Sequence, residues 1–177
     1  MITTVLTHHL NIANTYVAFV VTGDFNQLDS LFLDYISIVP PGGTYAVPFS
    51  ESFSGEAFPA LWTRQYRGLG TIDTWGISLS SNAEGEPNEL LCDEQNEATG
   101  PAVTRIVTPP IDTTGHSVLS LTFRHHLYNH GAGLIYSVQS STDGVNWVDE
   151  DWTFDSSWDN YAGPDSVTTT IANNLNS

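Results

Sequence analysis

The sequence predicts an all-β protein, a sandwich of antiparallel sheets, and three observations carry that prediction. Apolar residues recur with a period of two, the runs so patterned are rich in Val, Thr, Tyr and Phe, and Gly, Pro and Asp collect between them. The first run is TYVAFVVT at residues 15–22, stopped by Gly23-Asp24, and the second is LFLDYISIV at 31–39, stopped by Pro40-Pro41-Gly42-Gly43. A short run at 105–108 ends at Pro109-Pro110. In residues 117–125, Leu119, Leu121 and Phe123 alternate with Ser120, Thr122 and Arg124, as expected when one face of a sheet is buried. A strand at 134–140 follows Gly131-Ala132-Gly133, and Asp143-Gly144 beyond it is a hairpin signal. Residues 88–98 (NELLCDEQNEA) lack a sustained apolar stripe and read as a strand start followed by an acidic loop.

A chain of 177 residues that is 40% apolar is long enough for one buried core. Twenty acidic residues face four basic ones, Arg64, Arg67, Arg105 and Arg124, and lysine is absent. A net charge of -16 argues against nucleic acid or an anionic membrane as partner, and such a surplus of carboxylates suits either a salty medium or calcium. Cys92 is the only cysteine, so no internal disulfide and no Cys-rich zinc site can form; a buried, inert thiol is expected. No run of about 18 apolar residues predicts a membrane span. The opening residues 1–10 lack the basic start and continuous apolar stretch of a signal peptide, so a secreted protein would contain this chain as an internal piece.

The two ends carry related text. TTVLTHHLN begins at Thr3 and TTTIANNLN at Thr168, 165 residues later, with four of nine positions identical. Two good strands follow the first copy, whereas the chain stops after the second, which suggests one unit of a tandem array.

The order PFSESFSGEAFPALW, WGISLSSNAEGEPNELL, VTRIVTPPIDTTGHSVLSLTFRHHL and YSVQSSTDGVNW resembles the choice-of-anchor J or cleaved-adhesin type, a MAM-like jelly roll of secreted bacterial proteins. In that family the closing segment resembles TYVAFVVTGDFNQLDSLFLDYISI, which here stands at residues 15–38, so the resemblance covers nearly the whole chain in rotated order. It implies closing strands in 1–39, a linker at 40–47 and the main body of a jelly-roll repeat in 48–177. The closing strands would complete their own chain or be donated to a neighbouring copy, head to tail, building a filament.

Asp34 shares a strand face with Phe32, Ile36 and Ile38, the more apolar side of that strand, and a carboxylate so placed needs a partner. The resemblance implies that the acid of the first strand and the aspartate of the last help bind a structural calcium. Carried over by position, these are Glu51 and Asp34, joined by Glu89 and Asn82 from the NAEGEPNE stretch. Where the family often has two adjacent aspartates, this chain has Asp34-Tyr35, which removes one ligand.

His125 and His126 are consecutive on a strand and so point to opposite faces, which favours packed histidines over a zinc or copper site; His130 reads as a loop residue. The acids Asp149, Glu150, Asp151, Asp155 and Asp159 lack the EF-hand pattern and read as a solvated loop. Trp147 is expected in the core, and Trp152 and Trp158 are the candidates for exposed ligand-binding aromatics. No Gly-x-Ser-x-Gly, His-Glu-x-x-His or phosphate loop is present. The expectation is a non-catalytic structural or adhesive module of the cell exterior, with copies of itself, surface glycans or cell-surface proteins as partners. A carbohydrate-binding module is the alternative.

Overall fold

The computed structural model describes residues 2–6, 9–39, 49–68, 75–93, 100–157 and 161–165. The expected linker at 40–47 and Trp158 lie outside the described residues. The chain is all-β, as expected, and its strands form two antiparallel sheets packed face to face. They are β1 (Ile2–Leu6), β2 (Tyr16–Asp24), β3 (Leu28–Val39), β4 (Phe49–Glu51), β5 (Thr63–Gly68), β6 (Trp75–Ser78), β7 (Glu89–Asp93), β8 (Pro101–Val107), β9 (Leu119–Asn129), β10 (Leu134–Ser141), β11 (Val148–Asp155) and β12 (Tyr161–Asp165). Among the described residues, no helix is long and apolar enough to cross a membrane.

The first sheet is built on two long neighbours, β3 and β9, which pair from Leu28–Asn129 to Val39–Ser120. The free edge of each is completed by two short strands placed end to end. On β3 these are β7 and then β4; on β9 they are β12 and then β1. Strand β6 extends the sheet beyond β7. The second sheet runs β11-β10-β2-β8-β5. Residues 1–39 therefore supply the middle strand of each sheet, β2 and β3, and both pair within the same chain.

The alternation read in the sequence places the core. Leu119, Leu121 and Phe123 of β9 are fully buried between the sheets, facing Val17, Phe19 and Val21 of β2, and the Phe19 and Phe123 rings meet edge to face at 4.9 Å. Such pairs add about 0.5–1.5 kcal/mol beyond area burial. Trp75 of β6 donates its indole N–H to Thr104 Oγ1 of β8 at 2.9 Å, a polar link across the sandwich. Cys92 is a buried thiol in this core, in no disulfide. The opposite face of β2 is covered too. Ala18 and Val20 pack with Val107 under the half-buried Trp147, so Trp147 caps the outside of the second sheet and does not enter the main core.

The structure corrects the face assigned to Asp34. Leu31 and Leu33 point into the core, yet so do Ile36 and Ile38, and two odd positions followed by two even ones cannot lie on one side of a regular strand. The pairing of β3 with β9 slips between Asp34 and Ser37, and Tyr35 there has φ of +51°. One extra residue inverts the alternation. Asp34 consequently shares the outer face with Phe32, not with Ile36 and Ile38.

Candidate functional site

The β3 bulge sits where β7 ends and β4 begins along the same edge. At this junction Asp34 is almost fully buried (1% exposed), although it is on the outer face. What covers it is the turn between β6 and β7. Gly85 lies so close that a Cβ there would be 1.2 Å from Asp34 Oδ2, so any side chain at this position would force the carboxylate or the turn to move. Asp34 Oδ1 accepts the Tyr35 N–H at 2.6 Å.

A second buried acid holds the covering turn in place. Glu89, fully buried at the start of β7, accepts Ser80 Oγ at 2.6 Å and the Asn82 and Ala83 amides at 2.6 and 2.8 Å. Arg124, opposite Asp34 on β9, donates to the Glu84 carbonyl. The turn is thus tied down by one carboxylate and one guanidinium that belong to the sheet beneath it.

This environment is electrostatically short of positive charge. Burial pushes the Asp34 carboxyl up to about 6; the Tyr35 amide opposes the rise, the charge of Glu89 adds to it, and Arg124 offsets part. The sequence-chosen residues therefore separate. Asp34 and Glu89 come together, and Asn82 joins through its main-chain amide on Glu89. Glu51 does not join them. It pairs with Ile36, beyond the bulge, and its Oε1 accepts the Phe53 N–H at 2.9 Å. A shallow cleft bordered by Tyr35, Ile36, Ser50, Glu51 and Ser52 lies there.

Among the described residues, no three His, Cys, Asp or Glu side chains form a ready group for a metal ion. Asp34 and Glu89 are buried oxygen donors of the kind calcium takes, and both Glu89 oxygens already accept hydrogen bonds from Ser80, Asn82 and Ala83.

The histidines pack, each on its own side of β9. His125 lies against Phe123 and Trp152, with ring centroids 6.1 and 5.6 Å away, and burial pulls its pKa down to about 4. His126 is enclosed on the outer face by Phe32, Tyr128 and Tyr161. Trp152 is half-buried and meets Phe123 edge to face at 5.2 Å, so it closes the core and offers no open platform. In the acidic cluster, Glu150 is buried and accepts Ser140 Oγ at 2.6 Å, and Asp155 caps the turn at Ser157.

Sequence reasoning passed over the exposed face of the second sheet. There Arg105 Nε donates to Gln139 Oε1 at 2.8 Å, and Gln139 Nε2 donates to Asp149 Oδ1 at 2.8 Å. The Arg105 guanidinium lies 5.7 Å from the Trp147 ring centroid. Gln139 and Asp149 face each other across the β10–β11 hairpin, but Arg105 comes from the distant β8, so no local spacing announces the row.

The chain matches no family model, no curated protein and no solved structure. The likeness to the cleaved-adhesin type thus rests on the quoted sequence segments alone.

Proposed function

We propose that this chain is a non-catalytic structural or adhesive module of the cell exterior, one unit of a repeating array, with calcium stiffening the junction on β3. What supports the reading is the placement of the acidic pair. Asp34 and Glu89 do not line an open cleft, where paired carboxylates would do acid–base work; they lie under a turn and fix it to the sheet. A cation shared by these oxygens would offset the cost of burying the Asp34 charge and the smaller repulsion from Glu89, and would lock β3, β7 and the turn together.

The test is calorimetric titration of the EGTA-treated protein with calcium at pH 7.5, together with thermal melts with and without the ion. Saturable binding with a rise in Tm, both lost in Asp34→Asn, is the expected result. No heat and no Tm change would remove calcium from the reading.

A carbohydrate-binding module is the second reading, favoured by the Arg105–Gln139–Asp149 row beside Trp147 rather than by Trp152. A polar row flanked by an aromatic ring is the usual composition of a sugar subsite. Glycan-array binding that disappears in Trp147→Ala would establish it, and an array without signal would exclude it for the glycans displayed.

A further inference from the structure

Strands β12 and β1 lie end to end on one edge of β9 and run in the same direction, both antiparallel to it. Asp165, the last residue of β12, pairs with His125, and Ile2, the first of β1, pairs with Phe123. Only one residue of β9, Arg124, separates the two partners. If the chain continued straight past Asp165, position 166 would face Arg124 and position 167 would face Phe123. Residue 167 would then occupy the place of Ile2, an offset of 165.

That offset is the one already present in the sequence, where TTVLTHHLN at Thr3 recurs as TTTIANNLN at Thr168. The register on β9 is a property of the backbone and the repeat is a pattern of side chains, so the two are independent. They agree to the residue. Ile2, Thr3, Thr4, Val5 and Leu6 correspond to Val167, Thr168, Thr169, Thr170 and Ile171, a run of similarly β-branched character.

We propose that the β9 edge from Leu119 to Phe123 is a strand-exchange site with two occupants of this chain, β1 and residues 167–171. When 167–171 enters, β12 is prolonged into one unbroken strand along the whole of β9, in the register that β1 uses. The outgoing β1 is freed. In a head-to-tail series of copies the strand after β12 is also the first strand of the next copy, so the exchange fixes consecutive copies to each other through shared sheet rather than through a free linker. This rests on the repeat part of the proposed function and is independent of calcium.

Identical register makes the test symmetrical. Thr3 faces Thr122 in the present pairing, and Thr168 would face Thr122 in the exchanged one, so the two cross-strand pairs have the same geometry. The variants T3C/T122C and T122C/T168C are oxidised in the full chain, with T122C alone as the control for the buried Cys92. An intrachain disulfide in both is expected, read by mass spectrometry of the non-reduced monomer. Closure of 3–122 without 122–168 overturns the proposal, and a 122–168 bond found only between molecules overturns the intrachain occupant in favour of a second copy.

A deletion series tests it without cysteines. Loss of residues 1–6 or of 166–177 alone is expected to shift Tm slightly, because one occupant remains, and loss of both to lower it by clearly more than the two single shifts combined. Additive shifts would overturn the exchange. A negative result in either experiment leaves calcium binding to be judged by calorimetry alone, so failure of this inference is distinguishable from failure of the metal reading.

Discussion

At the scale of single residues, the contact between Gly85 and Asp34 is the tightest constraint at the candidate site. Gly85→Ala places a methyl group on Asp34 Oδ2, and the turn must lift or Asp34 must rotate. Overpacking of this kind costs about 1–3 kcal/mol. Urea denaturation is expected to show that loss, and an unchanged midpoint would mean that the turn yields freely. Asp34 also has a pH signature. Its carboxyl titrates near 3.8 when unfolded and near 6 when folded, so the folded chain holds more protons between those values. The contribution of Asp34 is full below about pH 4 and is lost as pH rises through 6. His125 acts oppositely: its folded value near 4 lies below the unfolded 6.5, so its contribution is present above 6.5 and lost as pH falls towards 4. In EGTA, the stability of the native chain relative to Asp34→Asn is therefore expected to grow from pH 7 to pH 4.5. A difference that stays constant across that range would show that Asp34 does not titrate there.

At the scale of elements, β3 explains why the site was only partly readable. Asp34 stood out because a carboxylate interrupts an apolar strand, whereas Glu89 and Asn82, about fifty residues further on, were candidates only through the family resemblance. The faces they occupy depend on the bulge at Asp34–Tyr35, and nothing in LFLDYISIV marks a bulge, since Tyr at φ of +51° is not the residue such a position announces. Turns that use local chemistry were legible. The Asp143-Gly144 signal forms as expected: the Asp143 carboxylate accepts the Val145 and Asn146 amides at 2.8 Å each, and Gly144 takes φ of +70°. These hydrogen bonds hold the Asp143 carboxyl well below the usual carboxylate range. Asp143→Ala is expected to lower Tm, with a readout at the β10–β11 hairpin by faster amide exchange of Val145 and Asn146. Unchanged exchange there would assign the hairpin's stability to its strands alone.

At the scale of the whole molecule, the N-terminal strands hold the centre of the sandwich. The first 39 residues are not an appendage, because β2 lies between β10 and β8, and β3 lies between β9 and both β7 and β4. A chain beginning at residue 40 would lose the middle of both sheets, leaving the edges of β8, β9 and β10 open and the core residues Val17, Phe19, Val21, Leu31, Leu33, Ile36 and Ile38 missing. Such a truncation is expected to show no cooperative thermal transition by circular dichroism. A sharp transition would mean that the remaining strands make a core of their own.

The sequence by itself determined the all-β class, the inward residues of β9 and the acid on which the candidate site is centred, because each is written in the alternation or chemistry of a few consecutive residues. The tertiary structure alone decided that Asp34 lies on the outer face with Glu89, that Glu51 stands apart, that Arg105, Gln139 and Asp149 form one row, and that β12 points along β9 at β1. Those facts concern which distant segments meet and in what register. A one-residue slip leaves local periodicity on either side intact while exchanging one face for the other, so strand pairing had to be seen before faces and neighbours could be assigned.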